Sequence, residues 1–454
     1  MKIGFEIHEQ INTATKLYCD SPTNYREEPP NTNVCEVCTG MPGAKPMPVN
    51  QEAIDAAVEI ALMLDCDVIY DPVYIQRKHY DYPDLPSGYQ RTSLPIAKDG
   101  VINDIGIWEV HLEEDPGKYD PLTGKVDYNR SGVPLVEIVT APDITSPEMA
   151  RGFLRELTKV LEYTGKVRPE GGTMRMDCNI SLEGGARVEI KNINSVRGAY
   201  KALKFEVTRQ RNLMRRGVKV KRETRAYLEA QMITRKMRVK EEAEDYRYIP
   251  DPDIPPLVVT QDAVSTISAQ MPEAPHMKMR RFMEQYGISR DDAWAITSEI
   301  EMADAFEEVC KDLDPKIAGQ FFRHDVMEVL HYNDLTYAQS HLTAHEVIEI
   351  LKLREAGEIT ATGAELTLRG IVEEGKRAAH IIEEKELKRI TKEEVIERAV
   401  KEAISESRQA VDDYLGGKGE ALDFIMGKVM EKTHGKADPR TILDMLRKSL
   451  EATQ

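Results

Sequence analysis

Short apolar runs separated by Pro, Gly and Asn breaks fill the chain up to about residue 260. Several of these runs alternate apolar and polar positions, and residues 4–8 and 107–113 do so most clearly. A period of two marks a strand with one buried face, because successive side chains of a strand point to opposite sides. The pattern therefore predicts a sheet with one apolar and one polar face.

Three stretches in the same region have the period and the end signals of helices. The second stretch carries an apolar stripe, as expected for a helix that covers a sheet. The stripe consists of Met149, Phe153, Leu157, Val160 and Leu161. The predicted helices are residues 51–64, which Asn50 would cap at the start, residues 147–164, which Ser146 and Gly165 would cap at the two ends, and residues 199–216, which would end at Gly217.

The chain changes character after the proline-rich segment 249–256, which cannot lie inside a helix. From about Pro272 onward the pattern is helical almost throughout, and a second transition falls near Gly375. We therefore predict an α+β fold in three parts. These parts are an α+β domain of residues 1–290, an all-helical domain of residues 291–375 and a small helical tail of residues 376–454.

Composition narrows the class of protein. Apolar residues make up 41% and charged residues 31% of the chain, and no apolar run approaches the roughly 18 residues of a membrane span. A carboxylate at Glu6 interrupts the N-terminus where a signal peptide would be apolar. The 6 cysteines are too few for a disulfide framework. We expect a cytoplasmic protein that has no membrane partner.

The charge is unevenly distributed. The net charge of −17 argues against general coating of nucleic acid, yet residues 197–247 contain 16 Lys and Arg against 7 Asp and Glu. From composition alone, a solvated surface explains such a stretch as well as an RNA partner does. An acidic protein with one basic face suits a selective RNA partner.

Acidic side chains recur on the polar sides of the predicted strands. Glu6 and His8 share one side of residues 4–8. Glu137 interrupts an otherwise apolar run, and Asp177 alternates with apolar neighbours. One such residue alone is typical of a solvated sheet face, but a buried carboxylate such as Glu137 needs a partner. Together they predict a floor of oxygen ligands, which Mg²⁺ prefers, without a P-loop or a dinucleotide-binding glycine motif.

The motifs that contain these residues resemble the GatB family, the B subunits of tRNA-dependent amidotransferases. They occur in the family's order and extend over essentially the whole chain, including a tail segment at 416–439. The related archaeal E subunit has an inserted domain for which this chain has no room, so the B family is favoured. The motifs are GFEIH (4–8), NTNVCEVC (31–38), MPGA (41–44), YPDLP (82–86), HLEED (111–115), NRSGVPL (129–135), EIKN (189–192) and DYRY (245–248).

The resemblance implies a cradle-like N-terminal domain, a helical domain and a tRNA-binding tail that is similar to the small YqeY protein. The family's enzyme is a ligase whose GatB component uses ATP to phosphorylate the side-chain carboxylate of Asp-tRNA(Asn) or Glu-tRNA(Gln), and ammonia then forms the amide. An amidase, the family's A subunit, releases the ammonia from glutamine, and the small C subunit joins the pair. Which mischarged tRNA is the substrate stays open. The alternative is a non-catalytic RNA-binding or assembly subunit that has kept the fold.

The resemblance also implies a magnesium site. Strand alternation would put Glu113 beside His111, but the family pattern favours Glu114, because the turn at residues 115–116 can break the alternation. The implied ligands of Mg²⁺ are Glu6, His8, Glu114, Glu137 and Asp177.

Further site residues follow from the same resemblance. Lys78 resembles a lysine that lines the family's ammonia passage, whereas Ser87 stands where many relatives have another lysine. Lys191 and Arg130 lie in family motifs and are the expected contacts to ATP.

A zinc site is the last prediction. Cys35 and Cys38, with Cys19 upstream, have the spacing of a zinc knuckle, and Ser21 stands where the family often has a fourth cysteine. Asp20, a nearby histidine or water would then complete the tetrahedron. Three reduced structural cysteines are the alternative.

Overall fold

The computed structural model describes residues 1–80, 82–170, 173–237, 247–388, 393–415, 418–433 and 437–451. The chain divides into two compact units, Met1–His276 and Met277–Gln454. Residues 238–246 of the predicted basic stretch, and residues 416–417 and 434–436 of the tail segment, lie outside the described residues.

Among the described residues of the first unit, 12 strands form one sheet, and a short hairpin of β7 and β8 stands apart from it. The strands are β1 (Lys2–Gln10), β2 (Asp67–Val68), β3 (Ile75–His79), β4 (Tyr89–Ser93), β5 (Ala97–Ile102), β6 (Ile105–Glu114), β7 (Lys118–Tyr119), β8 (Val126–Asp127), β9 (Pro134–Thr140), β10 (Arg175–Ser181), β11 (Val188–Ile193), β12 (Glu223–Leu228), β13 (Ile233–Lys236) and β14 (Arg247–Pro250). Their order is β13-β12-β11-β10-β1-β9-β6-β4-β3-β14, with β5 between β2 and β6.

The predicted alternation explains the two faces of the sheet. The runs 4–8 and 107–113 lie within β1 and β6, as predicted. β1 pairs antiparallel with β9 on one side and with β10 on the other. Phe5 and Ile7 of β1 are buried, whereas Glu6 and His8 on its other face are partly accessible.

The described helices of the first unit are α1 (Gln51–Met63), α2 (Pro147–Thr164), α3 (Val196–Arg215) and α4 (Gln261–Gln270). The Asn50 side chain accepts main-chain N–H groups at the start of α1, and Gly165 ends α2 at φ 63°, both as predicted. The Ser195 hydroxyl caps α3, which therefore begins earlier than predicted. Of the predicted stripe on α2, only Met149 lies outside the core, at 37% exposure. α1 packs on β5 and β6, and α3 on β11 and β13, so helices cover the apolar face.

The second unit is helical in the part that the structure describes. One hydrophobic cluster extends from Phe282 to Leu387, and another extends from Ile396 to Leu450. Its helices, of which α5 begins two residues before the division, are α5 (Pro275–Tyr286), α6 (Arg290–Ile296), α7 (Ile300–Val309), α8 (Pro315–Phe321), a π-helical turn (Phe322–Val326), α9 (Met327–Tyr332), α10 (Ala344–Glu355), α11 (Ala361–Glu374), α12 (Ala378–Glu384), α13 (Glu393–Glu406), α14 (Arg408–Leu415), α15 (Glu420–Lys432) and α16 (Pro439–Glu451).

The α+β class is confirmed, whereas the predicted boundaries at residues 290 and 375 stay predictions. The division into two compact units falls after His276, and α5 buries Phe282 in the first helical cluster. Within the described ranges, no helix combines the length and the apolar composition that crossing a membrane requires.

Candidate functional site

The register of the central strands brings the polar side chains of β1 against those of both neighbours. Glu6 lies opposite Asp177 on β10, and His8 lies opposite Glu137 on β9. Directly opposed side chains in antiparallel strands are close enough to interact. The polar residues that the sequence distributes over distant segments therefore meet on one face of the sheet.

His8, Glu113 and Glu137 form a first acidic cluster. The His8 Nε2 atom lies 3.4 Å from Glu113 Oε2 and 3.5 Å from Glu137 Oε1. Burial alone would lower the pKa of His8, but the hydrogen bond and charge of Glu113, with the charges of Glu137 and Asp177, raise it to about 9. Burial and the charge of Glu113 raise the pKa of Glu137 to about 7. The raised pKa of His8 reflects the negative charge of the surrounding carboxylates, which suits a bound cation.

Glu6, Asp177 and Glu189 form a second acidic cluster, whose ligand oxygens lie within 4.8 Å of one another. The Lys191 Nζ atom lies 2.7 Å from Asp177 Oδ2 and 3.1 Å from Glu189 Oε1. Burial would lower the pKa of Lys191, but these two carboxylates raise it, so the lysine is cationic. The residues that were expected in one site thus lie in two clusters.

Glu113 belongs to the first acidic cluster, whereas the expected Glu114 does not. β6 pairs regularly with β9 from Glu109 to Glu114, so the following turn leaves the alternation intact. The Glu114 carboxylate instead accepts the Arg91 main-chain N–H at 2.9 Å, and the Arg91 guanidinium lies 3.4 Å away. The geometry therefore places Glu113, and not Glu114, beside His8, because alternation decides which side chain faces this histidine.

The remaining predicted residues differ in their surroundings. The positive charge of Lys78, on β3, lowers the pKa of Glu113 and of Glu137 and so favours their ionised forms. Arg130 donates to the main-chain carbonyls of residues 116–117, so its guanidinium is engaged by the turn after β6. Ser87 lines a small cavity that Arg91 and Cys38 also line.

Two residues at this site were not among the predicted metal ligands. Glu189 alternates with apolar neighbours just as Asp177 does and belongs to the same predicted acidic face, but the resemblance did not imply it as a ligand. Gln90 on β4 donates to Glu113 at 3.3 Å. Nothing in the sequence near Gln90 indicates this contact, because it is made between strands.

Cys19, Cys35 and Cys38 form a thiol cluster, with sulfur atoms within 4.8 Å of one another. The buried Lys16 places its Nζ atom 3.4 Å from Cys38 Sγ, and the Ser21 hydroxyl lies 3.8 Å from the same sulfur. The hydrogen bond from Cys19 lowers the pKa of Cys38 to about 4 although burial opposes it, and the Lys16 charge adds to the effect. Three cysteine sulfurs, with a lowered pKa at Cys38 that favours its thiolate form, are a donor set that fits zinc.

The basic stretch forms an exposed surface on α3 and the segments after it. Arg209 and Arg225 do not contribute to that surface, because Arg209 is half-buried and Arg225 is buried, and both form ion pairs with Glu206 and Glu223. We call the exposed side chains the basic surface; they are Arg197, Lys204, Arg211, Arg215, Arg216, Lys219, Lys221, Arg222, Arg235 and Lys236.

Comparison with known proteins gives matches along the full chain. The GatB/GatE catalytic domain matches residues 1–265, and the GatB domain matches residues 304–450. The B subunit of the aspartyl/glutamyl-tRNA(Asn/Gln) amidotransferase of Methanothermobacter thermautotrophicus is 54% identical over 450 residues, which cover 99% of this chain and 100% of that protein. The proteins of the same name from Methanopyrus kandleri and Methanocaldococcus jannaschii are 53% and 50% identical, over 100% and 99% of this chain and 99% and 98% of those proteins.

Proposed function

Because the chain belongs to the GatB family of B subunits of aspartyl/glutamyl-tRNA(Asn/Gln) amidotransferases, we propose that its two acidic clusters are where ATP activates the aminoacyl group. The protein is a ligase that acts within a complex of several subunits. It serves the ATP-dependent conversion of aspartyl or glutamyl groups on tRNA to their amides. The observation that carries the proposal is the contact of His8 with both Glu113 and Glu137 on the polar face of the sheet.

Amide formation requires an activated acid, because an ionised carboxylate does not react with ammonia. In the proposed reaction, the side-chain carboxylate attacks the γ-phosphorus of ATP, and the bond to the β-phosphate oxygen breaks to release ADP. Ammonia then attacks the acyl carbon, phosphate leaves, and the nitrogen loses a proton. Phosphoryl transfer asks mainly for positioning and charge neutralisation, so the site needs no protein nucleophile.

The negative charges of the two acidic clusters would serve this reaction by binding a cation. We assign Mg²⁺ to His8, Glu113 and Glu137, with Glu6 and Asp177 on the same face. When bound there, the ion would supply positive charge for the phosphate oxygens.

The lysines beside the clusters have roles of their own in the proposal. Lys191, which the second acidic cluster keeps cationic, would attract the phosphates of ATP. We assign no contact with ATP to Arg130, because its guanidinium is engaged by main-chain carbonyls. Lys78 would lie where ammonia reaches the first acidic cluster, and Ser87 leaves that route without a second lysine.

We propose the other partners from the family and from charge. An amidase, the A subunit, would supply ammonia, and the small C subunit would complete the complex. The basic surface and the tail would bind the mischarged tRNA. Zinc at the thiol cluster would join residue 19 to the 35–38 loop.

Formation of ADP in the reconstituted complex tests the proposal. Asp-tRNA(Asn) and Glu-tRNA(Gln) are compared side by side, and uncharged tRNA is the control. We expect ADP formation with at least one mischarged tRNA and none above background with uncharged tRNA. If neither mischarged tRNA promoted ADP formation, the non-catalytic RNA-binding or assembly subunit, which the comparisons do not favour, would be the better description.

A further inference from the structure

Gln90 on β4 lies beside the first acidic cluster and is 7% exposed. Its Nε2 atom donates to Glu113 Oε2 at 3.3 Å and to the Glu114 main-chain oxygen at 2.8 Å. Its Oε1 atom accepts the Tyr80 hydroxyl at 3.1 Å. The donor end and the acceptor end of this buried amide are therefore both engaged.

These contacts fix the orientation of the Gln90 amide. A half-turn would set Oε1 against the Glu113 carboxylate and the Glu114 carbonyl, which are both acceptors. The Tyr80 hydroxyl would then have to accept from the amide nitrogen, so the unfavourable contacts are those of Oε1 with the two acceptors. Buried polar groups without partners are costly, so the observed orientation is strongly preferred. Gln90 is thus a fixed donor to Glu113.

The groups packed around Glu113 set the orientation of its carboxylate, because its side chain is only 2% exposed. Oε2 is the oxygen that approaches His8, and it is the same oxygen that Gln90 contacts. The amide therefore acts on the carboxylate atom that faces the interior of the cluster.

We propose that Gln90 is a positioning residue, which holds the Glu113 carboxylate in the orientation that binds a divalent cation. This inference rests on the proposed function, since it requires a cation at the first acidic cluster. Residues that hydrogen-bond to metal ligands commonly change metal affinity by about 10- to 100-fold when they are removed. We expect a change of that size for Gln90.

Titration of the purified protein with Mn²⁺ tests the inference, because the electron spin resonance of free Mn²⁺ reports binding without catalysis. Gln90→Met keeps the length of the side chain and removes the donor. We expect it to bind Mn²⁺ at least about tenfold more weakly than the parent, with a similar melting temperature in the absence of metal. In the reconstituted complex, it should need more Mg²⁺ for half-maximal activity but reach a similar rate at saturation.

A second variant tests the same contact by a smaller change in structure. Tyr80→Phe removes the hydroxyl that orients the Gln90 amide and should weaken Mn²⁺ binding by less than Gln90→Met does. Combined with Gln90→Met, it should cause no further weakening, because both changes act through one amide. Gln76→Met, the same substitution on β3 in neither acidic cluster, is the matched control and should bind Mn²⁺ like the parent.

The outcomes of these titrations distinguish a failure of the positioning role from a failure of the proposed cation site. If the parent bound no Mn²⁺, or if Glu137→Gln bound it as tightly as the parent, the cation site itself would be wrong. If the parent bound Mn²⁺ and Gln90→Met bound it equally well, only the positioning role would be overturned. Should Gln90→Met fail to fold, Tyr80→Phe decides, and an unchanged affinity in that variant overturns the role.

Discussion

The protonated His8 imidazole supplies positive charge to the first acidic cluster when no cation is bound. Its raised pKa, to about 9, means that the imidazole is protonated at neutral pH and pairs with Glu113 and Glu137. A metal-bound histidine must be neutral, so a cation would replace the proton as the positive charge of the cluster. The same three side chains can thus be stable without the ion and still bind it.

The thiol cluster gives a prediction at the scale of single residues. We expect about one zinc ion per purified chain, because three sulfur atoms lie within 4.8 Å of one another and the lowered pKa of Cys38 favours the thiolate form that binds zinc. Elemental analysis measures this content, and Cys35→Ser should lose most of it. Cys310→Ser, which changes a thiol in the helical unit, should retain the metal. Well under one zinc per folded parent chain would favour reduced structural cysteines.

The buried Glu9 gives a prediction about pH. Burial raises the pKa of Glu9 from 4.5 to about 7, against the opposing effects of Thr173 and Arg175. The protonated form is therefore favoured in the folded state, so this contribution to stability is complete below about pH 4.5 and is lost as the pH rises through 7. Glu9→Gln should make the folded state up to about 3 kcal/mol more stable at pH 8 than the parent, with little change at pH 4.5.

Thermal unfolding between pH 4.5 and pH 8 measures that effect. The melting temperature of Glu9→Gln should fall less over this range than that of the parent. Glu28→Gln, a change at an exposed position, should leave the pH dependence as it is in the parent. If both variants showed the parent's pH dependence, the burial of Glu9 would not carry the free-energy cost assigned to it.

At the scale of elements, periodicity within one segment predicted more than contacts between segments. The alternation of residues 4–8 correctly placed Glu6 and His8 on one face, and local capping signals correctly bounded α2. The family pattern pointed to Glu114, but the side chain beside His8 is that of Glu113, because β6 maintains the alternation to its end. Gln90 could not be predicted, since its contact with Glu113 depends on how two strands pair.

The prediction about tRNA binding concerns helix α3. Arg211 and Arg215 are four residues apart, so they lie on the same side of the helix, and both are exposed. If each contacts a phosphate of duplex tRNA, replacing both by Ala should weaken binding and reduce the slope of log affinity against log salt by about 2. Filter binding at several salt concentrations measures the slope.

Lys118→Ala with Lys125→Ala is the matched control for this test. It removes two exposed lysines near the β7–β8 hairpin, so it changes the net charge equally. Binding should keep the parent's slope in this control. An equal loss in both double variants would mean that general charge, and not the basic surface, attracts the tRNA.

At the scale of the whole molecule, the hydrophobic clusters indicate where the chain can be divided. The cluster that ends at Leu387 does not include the tail residues from Ile396 to Leu450, which form their own. A truncation after Lys388 therefore keeps Ile381, Ile382 and Leu387 in place, which a cut near residue 380 would remove. Composition and capping signals predicted a separate tail, but only the packing shows where to cut.

We expect the complex with this truncated chain to bind tRNA more weakly than the intact complex. Loss of the tail should raise the tRNA concentration needed for half-maximal ADP formation, with a smaller effect on the rate at saturation. Equilibrium binding of labelled tRNA checks the affinity directly. If the truncated complex bound tRNA as tightly as the intact one, the tail would have another role.

The central claim is that the first acidic cluster activates the aminoacyl group, and Glu137→Gln tests it while preserving the shape of the side chain. Loss of one contact that stabilises developing charge commonly costs two to three orders of magnitude in rate, or about 3 to 4 kcal/mol. Glutamine hydrolysis would belong to the amidase of the complex, so some of it should remain. Glu109→Gln, on β6 but in neither acidic cluster, is the control and should behave like the parent.

The decisive measurement is the rate of amidated-tRNA formation by the Glu137→Gln complex with ATP, Mg²⁺ and free ammonia. Supplying ammonia bypasses any defect in its release or passage, so only a defect in activation remains visible. We predict a rate two to three orders of magnitude below that of the parent, with or without added ammonia. Formation of amidated tRNA at the parent's rate would show that the acidic cluster is not the site of activation.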